Sequence, residues 1–205
     1  MKLYETATAP NPRRVRMFLA EKGLLDQVEC IQVDIAKGEN LTPDFVAMNP
    51  MKKVPVAQLD DGTCLAETMA ICRYIEASHP ETTPLLGNDA KEQALIEQWL
   101  RWIEFYFMTP TGMGFQHTSG YFKDRMKVFP EYGAECLNQV REFMKFLDKH
   151  LEGKEYICCD RFTAADINAY TTIAFARVVK IRIGDDQTNL KAWYDRINAR
   201  PSAKV

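Results

Sequence analysis

The sequence predicts an α/β amino-terminal domain followed by an all-helical domain, and three observations lead to this prediction. Strand and helix patterns alternate through residues 1–78, whereas residues 90–205 carry only helical patterns. Between them, residues 79–89 contain two prolines and follow no periodicity, which is typical of a linker. A chain of 205 residues is long enough to form two small domains.

The first 35 residues have the pattern of a strand, a helix and a second strand. A short strand is predicted at Lys2–Glu5. Asn11 and Pro12 then have the form of a helix start, with Asn11 as the N-cap and Pro12 at the first helical position, and Gly23 ends the helix. Apolar residues alternate along the second strand, residues 28–35. Strands joined through one helix in this way are expected to run parallel.

A hairpin and a longer helix complete the first domain. The dipeptide Asp61-Gly62 predicts a tight turn between two short strands, because glycine adopts the positive φ that such turns need. Pro55 enters the first of these strands, where its missing amide hydrogen is tolerated. Thr68 is the expected cap of the helix that follows. With a short helix after Thr42, the order βαβαββα is that of a thioredoxin-like domain with a mixed sheet.

The second half of the chain predicts a bundle of helices. Residues 90–108 form a long aromatic-rich helical pattern, and apolar residues at a spacing of three and four predict a further helix over residues 137–151. Thr163 and Asp166 have the spacing at which a threonine and an acidic residue cap the same helix start. A last helix is predicted to end at Arg200.

Composition excludes several classes of function. A net charge of −2 gives no electrostatic case for nucleic-acid binding. Every apolar run is too short to cross a membrane and no secretory segment follows the start, so we expect a cytoplasmic protein. The six cysteines include no C-x-x-C pair, which suits a reducing compartment. The three histidines are too scattered for a metal site, so no metal is expected.

Two sets of backbone groups near Pro55 are suited to binding a peptide. Because Pro55 interrupts regular pairing, the backbone of Lys53 and Val54 can offer a donor and an acceptor to an extended chain. The amides at Thr68 start a helix, and a helix N-terminus is a favourable place for a carboxylate. The sequence therefore indicates a ligand that combines an extended backbone with an acidic end.

The motifs around these groups resemble those of the cytosolic glutathione S-transferase family. N-P-x-x-K-V-P, then D-D-G, then E-T at a helix start resemble the glutathione-binding half of that family, and F-T-A-A-D-I resembles the box in its helical half. The register is most similar to bacterial beta-, nu- and theta-like members. Cys159 stands where the family usually has glycine, so a positive φ there would cost stability.

The resemblance implies that glutathione is the co-substrate and that its thiolate attacks an apolar electrophile. It also implies a cis peptide bond before Pro55 and a homodimer. The residues that it assigns to glutathione are Asn40, Lys53, Val54, Pro55, Glu67 and Thr68. Asn40 and Lys53 would hold the glycine end of the tripeptide, and the competing interpretation is that both are simply solvated.

The resemblance offers more than one candidate for the residue that contacts the sulfur. The serine of theta- and zeta-like enzymes aligns with Ala9, which has no donor. Asn11 aligns with the beta-class cysteine and with an asparagine of nu-like enzymes, so it is the first candidate donor. Thr8 is the second candidate and Tyr4 a distant third. The competing interpretations are that Asn11 only caps a helix and that Thr8 is only a loop residue.

The electrophile would contact side chains of the helical domain. The candidates are Tyr106, Met113, Phe115 and His117, because aromatic and thioether groups make an adaptable apolar wall. Core packing is the competing interpretation. Two further functions stay open: reduction of disulfides or peroxides with glutathione, which the register of Asn11 favours, and a non-catalytic binding or regulatory protein, which the loss of serine at Ala9 favours.

Overall fold

The computed structural model describes residues 1–205, which divide into two compact units. The first unit consists of residues 1–85 together with residues 201–205, and the second consists of residues 86–200. The carboxyl-terminal residues thus return to the first unit, where the guanidinium of Arg13 donates to the Ala203 carbonyl at 2.6 Å. No helix of the structure has the length and apolar character required to cross a bilayer.

Four strands form a mixed sheet in the first unit. They are β1 (Lys2–Glu5), β2 (Glu29–Gln32), β3 (Val56–Gln58) and β4 (Cys64–Ala66), in the order β2-β1-β3-β4. β1 and β2 run parallel, whereas β3 is antiparallel to both β1 and β4. The predicted thioredoxin-like order, βαβαββα, is confirmed.

The second strand is shorter than the predicted residues 28–35. β1 offers only four residues for pairing, so the ladder stops at Gln32. Val33 makes one further bond, from its amide to the Glu5 carbonyl at 2.6 Å. Its side chain is buried and packs with Phe45 and Val56. The alternation of apolar residues that predicted a longer strand therefore reflects side-chain burial that continues past the last paired residue.

Three helices belong to the first unit: α1 (Pro10–Glu21), α2 (Pro43–Met48) and α3 (Thr68–Ser78). α1 and α3 pack against each other, and both present buried apolar residues to the core. The buried residues of these two helices include Val15, Met17, Phe18, Leu19, Ile71 and Ile75.

The predicted start of α1 is wrong by two residues. The N-cap is Ala9, which is extended at φ −80° and ψ 142°, and Pro10 occupies the first helical position. Asn11 therefore lies inside the first turn and is not the cap. Both Pro10 and Pro12 fit the start of a helix, and the bond from the Ala9 amide to the Thr6 carbonyl at 2.9 Å closes a turn that ends just before Pro10.

Other local predictions of the first unit are confirmed. Gly23 has φ 69° after α1 and Gly62 has φ 86° in the hairpin turn. The Thr42 hydroxyl accepts from the Phe45 amide at 3.4 Å and so caps α2. The Val54–Pro55 peptide bond is cis, as the family resemblance implied.

A buried ion pair joins the end of α1 to α3. The Lys22 ammonium, whose side chain is only 1% exposed, donates to Glu76 at 2.7 Å and to the Thr83 carbonyl at 2.9 Å. Glu76 also accepts from the Leu85 amide at 2.8 Å. Both charges therefore have hydrogen-bond partners, and removing either one would leave the other uncompensated.

Five helices form the second unit: α4 (Ala90–Ile103), α5 (Thr109–Thr118), α6 (Pro130–His150), α7 (Ala164–Ala176) and α8 (Thr188–Asn198). The helix predicted over residues 90–108 ends earlier, at Ile103, and a π-helical turn at Glu104–Met108 leads into α5. The predicted helix around residues 137–151 and the last helix are confirmed as α6 and α8.

The predicted capping box starts α7 and is part of a buried network. The Thr163 side chain accepts from the Ala165 amide at 3.3 Å, and the Asp166 carboxylate accepts from the Thr163 amide at 2.9 Å. Asp166 also accepts from the Ile157 amide at 3.0 Å and from the Trp193 indole at 2.9 Å. Burial raises the pKa of Asp166 to about 6, against the lowering effect of these donors.

The residue at the family's glycine position does adopt a left-handed backbone. Cys159 has φ 60°, and the next residue, Asp160, has φ 46°. A side chain in this region costs roughly 1–2 kcal/mol relative to glycine. Cys159 therefore strains the turn before α7.

We predict that Cys159→Gly raises the free energy of unfolding by roughly 1 kcal/mol, because glycine relieves the left-handed strain. Urea denaturation of the reduced protein measures the change. Cys158→Gly is the matched control, since Cys158 has no positive φ and the same substitution there should destabilise. Equal effects of the two substitutions would contradict the prediction.

Candidate functional site

A cavity of about 120 Å³ lies in the first unit, where the loop before β3 meets the starts of α1 and α3. Its lining consists of Asn11, Asn49, Lys53, Val54, Pro55, Glu67 and Thr68. The structure thus brings together six residues that the sequence singled out.

The backbone of Val54 is open to pairing. β3 begins only at Val56, and no hydrogen bond within the chain engages the Val54 amide or carbonyl. Because an isolated donor and acceptor on one residue match an extended peptide backbone, Val54 can bind a ligand as one more pairing partner.

The start of α3 offers donors to an anion. Glu67 is the N-cap and makes no side-chain capping bond, so the predicted cap at Thr68 is wrong. Thr68 is instead the first helical residue, and neither its amide nor its hydroxyl has a partner in the chain. Its side chain is nearly buried, at 8% exposure. An N-terminus with unpartnered donors attracts a carboxylate.

Glu67 is held in an unusual backbone conformation. Its φ of 70° and ψ of 121° lie outside the regions that residues with a side chain favour. Its carboxylate is exposed and has no partner in the chain. Strained residues of this kind cost of order 1–3 kcal/mol and concentrate at binding sites, where they aim backbone donors.

Asn11 contributes a polar group without a partner. The Asn11 Oδ1 atom is buried and makes no hydrogen bond, and its backbone amide has no partner either. A buried unpartnered group costs about 1–3 kcal/mol, which a ligand that bonds to it would recover. Asn11 lies in the first turn of α1 and is one of the residues that line the cavity.

Asn49 is a lining residue that the sequence analysis missed. Its side chain donates to the Lys53 carbonyl at 2.8 Å and accepts from the Met51 amide at 3.0 Å. Asn49 thereby fixes the loop that carries Val54. The available signal was its place at the head of N-P-x-x-K-V-P, where it was interpreted only as the end of a helix.

Three predicted residues lie outside the cavity lining. Thr8 is exposed in the loop before α1. Asn40 donates to the Lys52 carbonyl at 2.9 Å and so holds the loop that leads to Val54. The Tyr4 hydroxyl donates to Gln58 at 3.3 Å across the sheet.

The four candidates for electrophile contacts have different surroundings in the second unit. Tyr106 is 60% exposed and lines a cavity of about 390 Å³ with residues of α6. Phe115 makes ring contacts with Tyr121, Phe122 and Phe175 at 5.6–6.0 Å between centroids. His117 is buried, and its Nδ1 accepts from a backbone amide at 3.1 Å. Met113 is half-buried on α5.

Comparison with known proteins identifies the family. The model for the glutathione S-transferase N-terminal domain matches residues 8–78, and the model for the glutathione S-transferase C-terminal domain matches residues 102–201. The chain is 34% identical over 206 residues to glutathione S-transferase 2 of Saccharomyces cerevisiae, covering 100% of this chain and 88% of that protein. The chain belongs to the glutathione S-transferase family.

Solved structures agree with this assignment. The crystal structure of Gtt2 from Saccharomyces cerevisiae superposes on this transferase with a TM-score of 0.94 at 33% identity, covering 100% of this chain and 99% of that one. A glutathione S-transferase domain-containing protein from Marinobacter aquaeolei gives a TM-score of 0.93 at 38% identity, with 98% and 99% covered. The similarity therefore includes both units of the transferase.

We predict that Thr68→Val raises the KM for glutathione roughly tenfold, because it removes one hydrogen bond to a carboxylate at the start of α3. Steady-state kinetics measure KM, and circular dichroism measures the folded fraction, which should not change. Thr68→Ser keeps the hydroxyl and should behave like the wild type. An unfolded Thr68→Val protein would instead assign the hydroxyl a structural role.

Proposed function

We propose that this transferase binds glutathione in the cavity beside Val54 and presents its thiolate to an apolar electrophile. The observation that carries the proposal is the convergence of unpartnered groups on one small cavity: the Val54 backbone, the Thr68 amide and hydroxyl, and the backbone amide of Asn11. Glutathione has a matching set, since it combines an extended backbone, two carboxylates and a thiol. In this proposal residues 1–78 form the glutathione-binding domain, residues 79–89 the linker and residues 90–205 the helical domain, whose last five residues belong to the first compact unit.

The binding mode follows from the chemistry of the lining. The cysteinyl backbone of glutathione pairs with Val54, and the carboxylate of its γ-glutamyl end accepts from the Thr68 amide and hydroxyl. The exposed carboxylate of Glu67 attracts the ammonium group at the same end. Lys53 attracts the glycine carboxylate, and Asn40 supports this end through its bond to Lys52.

The start of α1 activates the thiol in this proposal. A free thiol has a pKa of about 8.5, so a small fraction is thiolate near neutral pH. The side-chain amide of Asn11, together with the unpartnered backbone amide of the same residue, can donate to the sulfur and favour the thiolate. Thr8 is the alternative donor. The thiolate then attacks an electrophilic carbon, forming a carbon–sulfur bond as the leaving group departs with its electron pair.

The electrophile's apolar contacts come from the helical unit. We assign them to Tyr106, Met113, Phe115 and His117, of which Phe115 belongs to the largest group of ring contacts. The six free cysteines are consistent with a cytoplasmic location, where reduced glutathione is available and a detoxifying role is expected.

One observation favours a second function, the reduction of disulfides or peroxides with glutathione. By resemblance, Asn11 aligns with an asparagine that nu-like proteins with this reductase activity share. A chlorinated aromatic electrophile and a small disulfide, assayed side by side with glutathione, separate the two reactions. A protein that is not retained on immobilised glutathione and turns over neither compound would be a binding or regulatory module, which the loss of serine at Ala9 favours.

We predict that Asn11→Ala lowers kcat more than tenfold, which corresponds to about 1.4 kcal/mol and to the loss of one hydrogen bond to a charged sulfur. The assay uses whichever co-substrate the wild type turns over. Asn189→Ala, a matched change on α8 outside the cavity, should leave kcat unchanged. If calorimetry finds no binding of glutathione to the wild type at millimolar concentration, the proposed function is wrong.

We further propose that the transferase is a homodimer. Phe105 and Tyr106 are 57% and 60% exposed, and Phe146 is 46% exposed beside Tyr106 across the groove on α6. Apolar surface of this kind marks an interaction site. Sedimentation equilibrium should therefore give twice the chain mass of 23.5 kDa, and Phe105→Glu should shift the protein toward the monomer. A monomeric wild type would contradict the proposal.

A further inference from the structure

Side chains hold the segment between β1 and α1 in place. This segment, residues 6–9, leads from the sheet to the first turn of α1. The Ala7 amide donates to the Gln32 side chain at 3.0 Å, and the Ala7 carbonyl accepts from the Arg16 guanidinium at 2.8 Å. Both polar groups of one loop residue are therefore bound by side chains of two different elements, β2 and α1.

The same two side chains meet again at a buried carboxylate. Glu5 is 2% exposed at the end of β1, and it accepts from Arg16 Nη1 and from Gln32 Nε2, the latter at 3.0 Å. The bonds thus close a ring that runs from Ala7 to Gln32, to Glu5, to Arg16 and back to Ala7. We call these four residues the Ala7 ring.

The ring constrains the start of α1 through a short connection. Thr6 is tied to the sheet by its hydroxyl, which donates to the Val33 carbonyl at 2.6 Å. The Ala9 amide then donates to the Thr6 carbonyl, and the helix begins at the next residue. Asn11 lies only four residues after Ala7. Displacement of Ala7 is therefore transmitted to Asn11 with little flexible chain between them.

The Ala7 ring is better suited to orienting the residues that it joins than to stabilising the fold. Burying Glu5 and Arg16 carries a desolvation cost that their attraction only partly offsets, and apolar residues of similar volume are often equally stable. The ring instead fixes the relative positions of its members, because the planar guanidinium of Arg16 bonds to the Glu5 carboxylate and to the Ala7 carbonyl at the same time. A lysine ammonium at the same position would be a point charge and would lack the rigid, planar fork of N–H donors that the guanidinium presents.

We propose that the Ala7 ring sets the position of Asn11 against the glutathione sulfur, so that Arg16 and Gln32 are positioning residues for thiol activation. Neither residue lines the glutathione cavity, so both act through Ala7. The inference rests on the proposed function, because it needs glutathione in the cavity beside Val54.

Gln32→Met is the informative variant, because Gln32 is exposed and its loss should leave the protein folded. We expect the pKa of the bound thiol, read from the ultraviolet absorbance of the thiolate against pH, to rise by about one unit. At a pH below the pKa of the thiol, kcat should then fall roughly tenfold, while the KM for glutathione stays within about twofold because the Val54 and Thr68 contacts remain.

Two further variants separate positioning from stability. Lys22→Met breaks a buried ion pair at the opposite end of α1, so it should lower the melting temperature and leave the pKa of the bound thiol unchanged. Arg16→Lys keeps a charge beside Glu5 and loses the fork, so it should raise the pKa of the thiol as Gln32→Met does.

The outcomes distinguish the inference from the function on which it rests. A wild type that binds glutathione and forms thiolate, together with a Gln32→Met protein of equal thiol pKa and kcat, overturns the positioning role alone. A Lys22→Met protein whose thiol pKa rises equally shows a general effect of stability and also overturns it. A wild type that does not bind glutathione overturns both the proposed function and this inference.

Discussion

The site depends on one constraint, the missing amide hydrogen of Pro55. A sheet cannot extend through a residue that has no donor, so β3 begins only after Pro55. Val54 is left beside the sheet with an amide and a carbonyl that no other part of the chain engages. In most loops such groups would face water, but here they line a cavity. The interruption of the sheet is what makes a backbone available to a peptide ligand.

Two helix starts surround this interruption and share the same property. α1 and α3 each begin without a side-chain cap. Pro10 and Pro12 carry no amide hydrogen, so the unpartnered amide at the start of α1 is that of Asn11, and at the start of α3 it is that of Thr68. Capping the two helices with serine or aspartate would gain about 1 kcal/mol each. The unsatisfied Asn11 and the strained Glu67 add to this cost. A ligand that accepts from the free amides would recover the part of this cost that belongs to the helix starts, whereas the Asn11 Oδ1 atom is an acceptor and would need a donor.

Much of the fold follows from local rules, and for that reason the sequence predicts it. Asp61-Gly62, the Thr42 cap and the box of Thr163 and Asp166 each depend on residues a few positions apart. The start of α1 does not, because Pro10 and Pro12 satisfy the same rule and a bond from Ala9 decides between them. The π-helical turn after α4 likewise has no local signal that the sequence analysis could use.

The candidate site was predictable where backbone chemistry determines it and not where distant side chains do. Val54, Pro55 and Thr68 follow from proline and helix-start rules, so they were found. The bonds of Asn49 to its own loop, and the ring that binds Ala7, depend on polar residues whose partners are set by the fold. Gln32 has no pattern in the sequence that separates it from a solvated residue, although its two bonds connect β1, β2 and the start of α1.

The kind of donor at the start of α1 limits what the proposed mechanism can do. An asparagine amide donates hydrogen bonds but takes no proton near neutral pH, so Asn11 can stabilise a thiolate without acting as a base. The thiol proton must then leave to solvent, and activation consists of a lowered pKa alone. Such activation depends on the distance and direction of a donor, because a hydrogen bond weakens steeply with misalignment. A rigid attachment of the α1 start is therefore more valuable here than it would be beside a residue that accepts the proton itself.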